Sequence, residues 1–247
     1  MYKSKRVVCV VPARLHSTRF PKKVLASLGG KPLLQWVHEG ALACGFFDAI
    51  IFAVDALETK SLVESFGGQA LLTSETCLNG TERLIEVKQR GDIEANVWVN
   101  WQADEPFITK DLIKDLLQTI DEPGDLWTLR KKITEQQELE DPNVVKVVVN
   151  HREEALYFSR YPIPYCRAES CEKYKHLGIY AFTDKALEKV NTLSSCELEK
   201  IESLEQLRWL YHGMQLRVHE TMHQSLGIDL PQHLVLAEKL LLQLSLL

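Results

Sequence analysis

The first thirty-one residues contain no Asp or Glu, although they hold eight Lys or Arg in a chain whose formal net charge is -5. No apolar run approaches the roughly 20 residues of a membrane-spanning helix. The amino end, MYKSKRVVCVVPAR, pairs basic residues with a very short apolar run and has no small-residue cleavage site, so it is not a signal-peptide pattern. The six cysteines (Cys9, Cys44, Cys77, Cys166, Cys171 and Cys196) form no Cys-x-x-Cys pair. That usage suits reduced thiols in a cytoplasm better than a disulfide or zinc framework, with Cys9 and Cys44 read as core residues. The acidic balance, without any basic-aromatic repeat, argues against a general nucleic-acid binder. Two nucleotide signatures are missing as well, the Gly-x-x-x-x-Gly-Lys-Ser/Thr of a P-loop and the Gly-x-Gly-x-x-Gly of a dinucleotide site. No Ser/Gly/Pro linker, low-complexity tract or internal repeat divides the chain.

With 247 residues, 45% of them hydrophobic and 26% charged, the chain can build a sizeable core without staples. Strands are predicted at Val7–Val11, Ala49–Val54, Gln69–Leu72 and Asn96–Trp101. Helices are predicted over Pro32–Cys44, near Leu57–Phe66, from about Glu82 to Arg90, and from Lys110 to about Ile120 behind a Thr109 cap. Strands this apolar, separated by amphipathic helices, read as a mostly parallel central sheet flanked by helices, an α/β fold. The second half is richer in strands (Leu126–Ile133, Val144–Val149, Ala155–Phe158, His176–Phe182, Leu216–His219), with helices near Asp184–Val190, Glu197–Tyr211 and Pro231–Leu244. The expected organisation is one domain over 1–247 with a strand-rich insertion of about 126–220.

In such folds the loop after a parallel strand lies at the carboxyl edge of the sheet, where ligands bind. Pro12–Lys23 is that loop if Val7–Val11 is the first strand. Its Arg14, Ser17, Thr18, Arg19 and Lys23 offer cationic forks, hydroxyls and backbone N–H groups, a set that grips a polyphosphate. Composition alone is equally consistent with a solvated basic turn. Asp104-Glu105-Pro106 follows the fourth strand on the same edge and suggests Mg²⁺ held for phosphate chemistry, carboxylate oxygens being the hard ligands this ion takes. The other reading of these residues is a turn ahead of a helix. Asp229, in a loop set by Gly227 and Pro231, is a candidate second carboxylate, and N-capping of the last helix is its alternative role.

Several stretches in order, VVPARLHSTRFPKK, LGGKPLLQWV, NGTERL, VNWQADEPFI, DPNVVKVVV, ALYFSRYPIPY, KHLGIYAF, LEKIESLEQLRWL and GIDLP, resemble the 3-deoxy-manno-octulosonate (Kdo) cytidylyltransferases, or CMP-Kdo synthetases. The resemblance spans nearly the whole chain, and ALYFSRxxIP and HLGIY discriminate best. It implies a Rossmann-like nucleotidyltransferase fold that moves CMP from CTP to the anomeric hydroxyl of Kdo with loss of pyrophosphate, for lipopolysaccharide synthesis. It implies that Pro12, Ala13, Arg14, Ser17, Thr18, Arg19 and Lys23 cradle the triphosphate, with Gly80, Thr81, Arg83 and Gln102 also at the nucleotide. Asp104 and Asp229 would ligate Mg²⁺, and Arg14, Lys23 and Asp104 would be catalytic. Arg160, His176, Tyr180, Glu205 and Gln206 would line the sugar pocket, Arg160 as mate of the sugar carboxylate. A cytoplasmic homodimer, without nucleic-acid partner or membrane insertion, completes the expectation.

The chain departs from the family pattern at four places. Lys22 stands where Gly is usual in the first loop, and Ala103 replaces the Gly of Gln-Gly-Asp-Glu-Pro. Cys77-Leu78-Asn79 replaces His-x-Ser ahead of Gly80, and Leu230 replaces a customary Thr. None removes a charged group that the reaction needs. A cytidylyltransferase for sialic acid or an amino-Kdo is the nearest competing expectation, although HSTRFPKK does not match the Ser-Lys-Gly-Ile-Pro typical of sialic-acid enzymes. A non-catalytic anion sensor on the same fold would not need two metal carboxylates.

Overall fold

Val7, Val8, Cys9, Val10 and Val11 are all fully buried, because their strand is central and covered on both faces. Each valine so placed stabilises the fold by roughly 1.5–3 kcal/mol relative to exposure. The computed structural model describes residues 1–16 and 20–244, which form two compact units, the described residues of 1–113 with 225–244 and those of 114–224.

The first unit begins with β1 (Val7–Ala13), a single 3-10 turn (Lys23–Leu25), a small hairpin of β2 (Ser27–Leu28) and β3 (Lys31–Pro32), and helix α1 (Leu33–Cys44). Gly45, at φ 70, ends α1 in the left-handed conformation. Then follow β4 (Ala49–Val54), α2 (Leu57–Ser65), β5 (Gln69–Leu72), α3 (Gly80–Gln89), β6 (Val97–Asn100) and α4 (Lys110–Leu116). The four main strands run parallel in the order β6-β1-β4-β5, with Ala13 opposite Val54 and Val54 opposite Leu72. The segments after β1, β4, β5 and β6 therefore leave from one carboxyl edge.

The second unit holds β7 (Leu126–Lys132), α5 (Gln136–Glu140), β8 (Lys146–Val149), β9 (Ala155–Ser159), β10 (Tyr174–Thr183), α6 (Asp184–Thr192), α7 (Glu197–Glu202), α8 (Gln206–Tyr211) and β11 (Leu216–Glu220). Strand β11 pairs parallel with β7, while β7 with β10, β10 with β8 and β8 with β9 are antiparallel. The helix expected over Glu197–Tyr211 is two helices, because Ser203 turns left-handed (φ 52) between them.

Helix α9 (Pro231–Leu244) returns the chain to the first unit. Leu28, Leu33, Ile228 and Ala237 form a buried cluster that Phe20, Trp36, Phe107 and Leu226 pack against. This cluster fixes the hairpin behind Lys23 and the loop that carries Asp229.

Candidate active site

Lys23 begins the 3-10 turn, and its ammonium meets two carboxylates from distant parts of the first unit. Its Nζ lies 2.6 Å from Asp104 Oδ2 and 3.2 Å from Asp229 Oδ1. Asp104 is placed by its turn, where Glu105 N–H donates to the Gln102 carbonyl and Trp101 Nε1 donates to the Glu105 carbonyl at 3.0 Å. Ile228 N–H donates to the Asp104 carbonyl at 2.8 Å, which ties the Asp229 loop to this turn. Burial raises the Glu105 carboxyl to about 7, the charges of Asp104 and Asp229 add to the rise, and Lys23 opposes it.

Lys23, Asp104 and Asp229 open on a cavity of about 290 Å³ in the first unit. Of the residues expected at the nucleotide or metal, Pro12, Arg14, Lys23, Gly80, Arg83, Gln102, Asp104 and Asp229 line it together. Ala13 and Thr81 are buried beside it in β1 and α3. Ser17, Thr18 and Arg19 lie outside the described residues. Arg14 is exposed and forms no ion pair among the described residues.

One wall is the start of α3. Asn79 Oδ1 accepts from Glu82 N–H at 2.9 Å, while the Glu82 carboxylate accepts from Leu78 N–H at 2.7 Å, a reciprocal cap. Asn and Ser are nearly equivalent in that capping role, so Asn79 can start the helix where the family pattern has Ser. Cys77 also lines the cavity, but its thiol faces Glu86 at 3.4 Å, and burial with that carboxylate raises its pKa to about 11. Gly80 is required by space, since an added Cβ would lie 2.9 Å from Pro12 Cγ.

Two departures acquire a backbone reason. Lys22 sits at φ 53, ψ 30, the left-handed region where glycine is the easy choice. Its ammonium pairs with Glu58 at 3.1 Å, so it is a surface pair partner. The left-handed non-glycine residues among those described are Lys3, Ser4, Lys22, Glu153 and Ser203. Ala103 is not one of them, so its methyl group meets no backbone strain.

Three polar residues escaped the sequence reading. Asp55, just past β4, accepts from Leu15 N–H at 2.8 Å and from Arg83 Nη2 at 2.9 Å. Thr73 accepts from Arg83 Nη1 at 2.7 Å, and Asn100, fully buried, accepts from Gln102 Nε2 at 3.3 Å. A polar residue closing an apolar strand (AIIFAV-Asp55, VWV-Asn100) was the available signal. Arg83, expected at the cytidine end, thus lines the cavity with its guanidinium held by Asp55, Thr73 and the Ser74 carbonyl.

The residues expected at the sugar belong to the second unit. The Arg160 guanidinium donates to three main-chain carbonyls, those of Glu202 (2.7 Å), Pro142 (2.9 Å) and Ser203 (3.3 Å). His176 Nε2 lies 2.9 Å from Thr128 Oγ1, and its ring meets Phe158 edge-on and Tyr180 at a tilt. Burial lowers its pKa to about 3. Tyr180 and Gln206 are buried, while Glu205 precedes α8 at its N-cap position. Arg160 also lines a separate cavity of about 900 Å³ with Tyr161, Tyr165 and Lys173.

A parallel sheet whose carboxyl edge gathers a cation, two carboxylates and a glycine-started helix is an α/β ligand site suited to a phosphate-bearing substrate. A family profile described as Cytidylyltransferase matches residues 8–216. The 3-deoxy-manno-octulosonate cytidylyltransferase of Thermodesulfovibrio yellowstonii is 41% identical over 95% of this chain and 97% of its own. That of Bdellovibrio bacteriovorus is 41% identical over 96% and 98%. A solved CMP:2-keto-3-deoxy-manno-octonic acid synthetase complexed with CTP superposes with TM-score 0.91 at 39% identity, over 96% of this chain and 99% of that one. A 4-diphosphocytidyl-2C-methyl-D-erythritol synthase from Anaerococcus prevotii (TM-score 0.64, 11% identity) shares the fold alone. The chain belongs to the 3-deoxy-manno-octulosonate cytidylyltransferase family.

Proposed function

We propose that this enzyme transfers CMP from CTP to the anomeric hydroxyl of Kdo, forming CMP-Kdo and pyrophosphate and so activating the sugar for lipopolysaccharide synthesis. The observation that carries the reading is the convergence of Lys23, Asp104 and Asp229 beside Gly80 in one cavity, in a member of this family.

Asp104 and Asp229 fit Mg²⁺ by their chemistry, since their carboxylates already meet at one cation, the Lys23 ammonium. Mg²⁺ is usually bound by one or two carboxylates and completes its shell with waters and phosphate oxygens, so two carboxylates are a sufficient protein share. Held by these two residues, Mg²⁺ would neutralise phosphate charge and make the sugar hydroxyl more acidic. Arg14 and Lys23 would bind the triphosphate and stabilise the charge that develops as pyrophosphate leaves. Gly80 lets the α3 amino terminus approach β1, and Gln102, steadied by Asn100, would meet the nucleoside. Positioning for in-line attack on the α-phosphorus dominates such transfers.

Arg160, His176, Tyr180, Glu205 and Gln206 are assigned to Kdo by the family resemblance, and so are the homodimer and the cytoplasmic setting. Among the described residues no helix is long and apolar enough to cross a membrane. The test is pyrophosphate release from CTP, Mg²⁺ and Kdo. Turnover with Kdo is expected, and silence with Kdo beside turnover with sialic acid would replace the acceptor.

A further inference from the structure

Asp55 stands directly after β4, and its two oxygens go to two different segments, each of which carries a residue that lines the nucleotide cavity. Oδ1 accepts from the backbone N–H of Leu15, the residue next to Arg14 in the basic loop. Oδ2 accepts from Arg83 on α3, the helix whose first turn forms a wall of the cavity. The pair is almost sealed from water, with side-chain exposures of 3% for Arg83 and 7% for Asp55. Arg83 extends the tie to the strand beyond, since its Nη1 also donates to Thr73 Oγ1, and Thr73 N–H and Oγ1 both donate to the Val54 carbonyl.

A buried ion pair of this kind is weak evidence for stability, because desolvation offsets much of the attraction. What the geometry supplies is placement. A loop rich in like charges has no internal reason to keep Arg14 near the cavity, and Leu15 N–H is anchored to a residue just past a strand end that does not itself line the cavity. We infer that Asp55 is a positioning residue for the triphosphate loop, fixing Leu15 with one oxygen while the other holds Arg83 and the start of α3. The inference rests on the cytidylyltransferase reading of the cavity and adds to it the device that sets the loop against the helix.

The experiment compares Asp55→Asn, Asp55→Ala and Val63→Ala with the parent enzyme. Val63 is a fully buried α2 residue that does not line the cavity, and its truncation controls for lost stability. Asp55→Ala is expected to raise KM for CTP by about tenfold, with KM for Kdo and kcat changed less than about threefold, the pattern of a lost substrate-positioning contact. Asn keeps an oxygen able to accept from Leu15 N–H, so Asp55→Asn should lose thermal stability yet raise KM for CTP clearly less than Ala. Calorimetric CTP affinities should follow the same order. Equal CTP affinity in Asp55→Ala and parent would overturn the inference. So would a parallel rise of both KM values matching that of Val63→Ala at equal loss of melting temperature. If Asp55→Ala does not fold, Asp55→Asn decides alone: its neutral oxygen is the weaker acceptor for Leu15 N–H and should raise KM for CTP by about threefold with KM for Kdo unchanged, and an unchanged KM for CTP overturns the inference. If the parent binds CTP but never turns over Kdo, the acceptor reading fails while the calorimetric comparison still tests Asp55.

Discussion

A Cβ added to Gly80 would lie 2.9 Å from Cγ of Pro12, closer than real Cβ contacts come. Pro12 belongs to the central strand and its ring is rigid, so the start of α3 would have to move. Gly80→Ala should therefore cost about 1–3 kcal/mol despite the better helix propensity of alanine. Urea unfolding measures this, and a variant as stable as the parent would show that the approach is looser than drawn. Because Gly80 lines the cavity, KM for CTP should rise in the same variant.

Asp104→Asn keeps the shape of the turn and removes one of the two carboxylates at Lys23. Turnover should fall by roughly a hundredfold or more, the scale of losing one electrostatic contact to developing charge. The melting temperature should shift little, since Asp104 is partly exposed and its main-chain bond to Ile228 survives. Near-normal rates at all Mg²⁺ concentrations would remove the metal role of this residue.

Lys22 separates two effects that usually travel together. Its left-handed backbone is strained for lysine and free for glycine, whereas its ion pair with Glu58 is exposed. Exposed pairs contribute about 0–1 kcal/mol, and a left-handed L-residue costs roughly 1–2 kcal/mol. Lys22→Gly should equal or exceed the parent in stability, and Lys22→Ala should fall about 1 kcal/mol below Lys22→Gly. Denaturant midpoints of the three proteins check the order, and Ala above Gly would refute the backbone account.

The central parallel strands were legible because burial on both faces leaves unbroken apolar runs, and Ala49–Val54 was bounded as the structure has it. The edge strand Gln69–Leu72, with only Ala70 buried, was legible from the Gly67-Gly68 stop before it. The break at Ser203 was hidden, because Leu198, Ile201, Leu204 and Leu207 keep helical spacing across it while one left-handed residue divides the helix. Lys23, Asp104 and Asp229 were legible as charges at loop positions, and their meeting across 81 and 206 residues is supplied by the fold. Asp55 was missed because a lone acid after a strand looks like turn chemistry, and its partners lie 40 and 28 residues away. Arg83, expected at the nucleotide from the family resemblance, lines the cavity, and its hold on Asp55, Thr73 and the Ser74 carbonyl was not legible because those partners lie 28, 10 and 9 residues away.

His219 gives the fold a defined pH response. Its ring is wholly buried in β11 with Nε2 3.0 Å from Thr119 Oγ1. Burial first, then the charge of Arg217, lowers its pKa to about 4, while Asp115 and Glu122 oppose the shift. The unfolded value is about 6.5, so above that pH the ring is neutral in both states and its stability contribution is complete. As pH falls below about 6.5 the unfolded chain takes up a proton that the folded chain refuses. Stability is then lost at up to about 1.4 kcal/mol per pH unit until the folded ring titrates near 4. His176, lowered by burial to about 3, acts in the same direction. His219→Gln removes one titrating ring whatever its effect at neutral pH. The stability difference between pH 7 and pH 5 should therefore shrink by about 2 kcal/mol relative to the parent. Urea midpoints at the two pH values measure it, and an undiminished difference would mean that His219 becomes protonated in the folded protein.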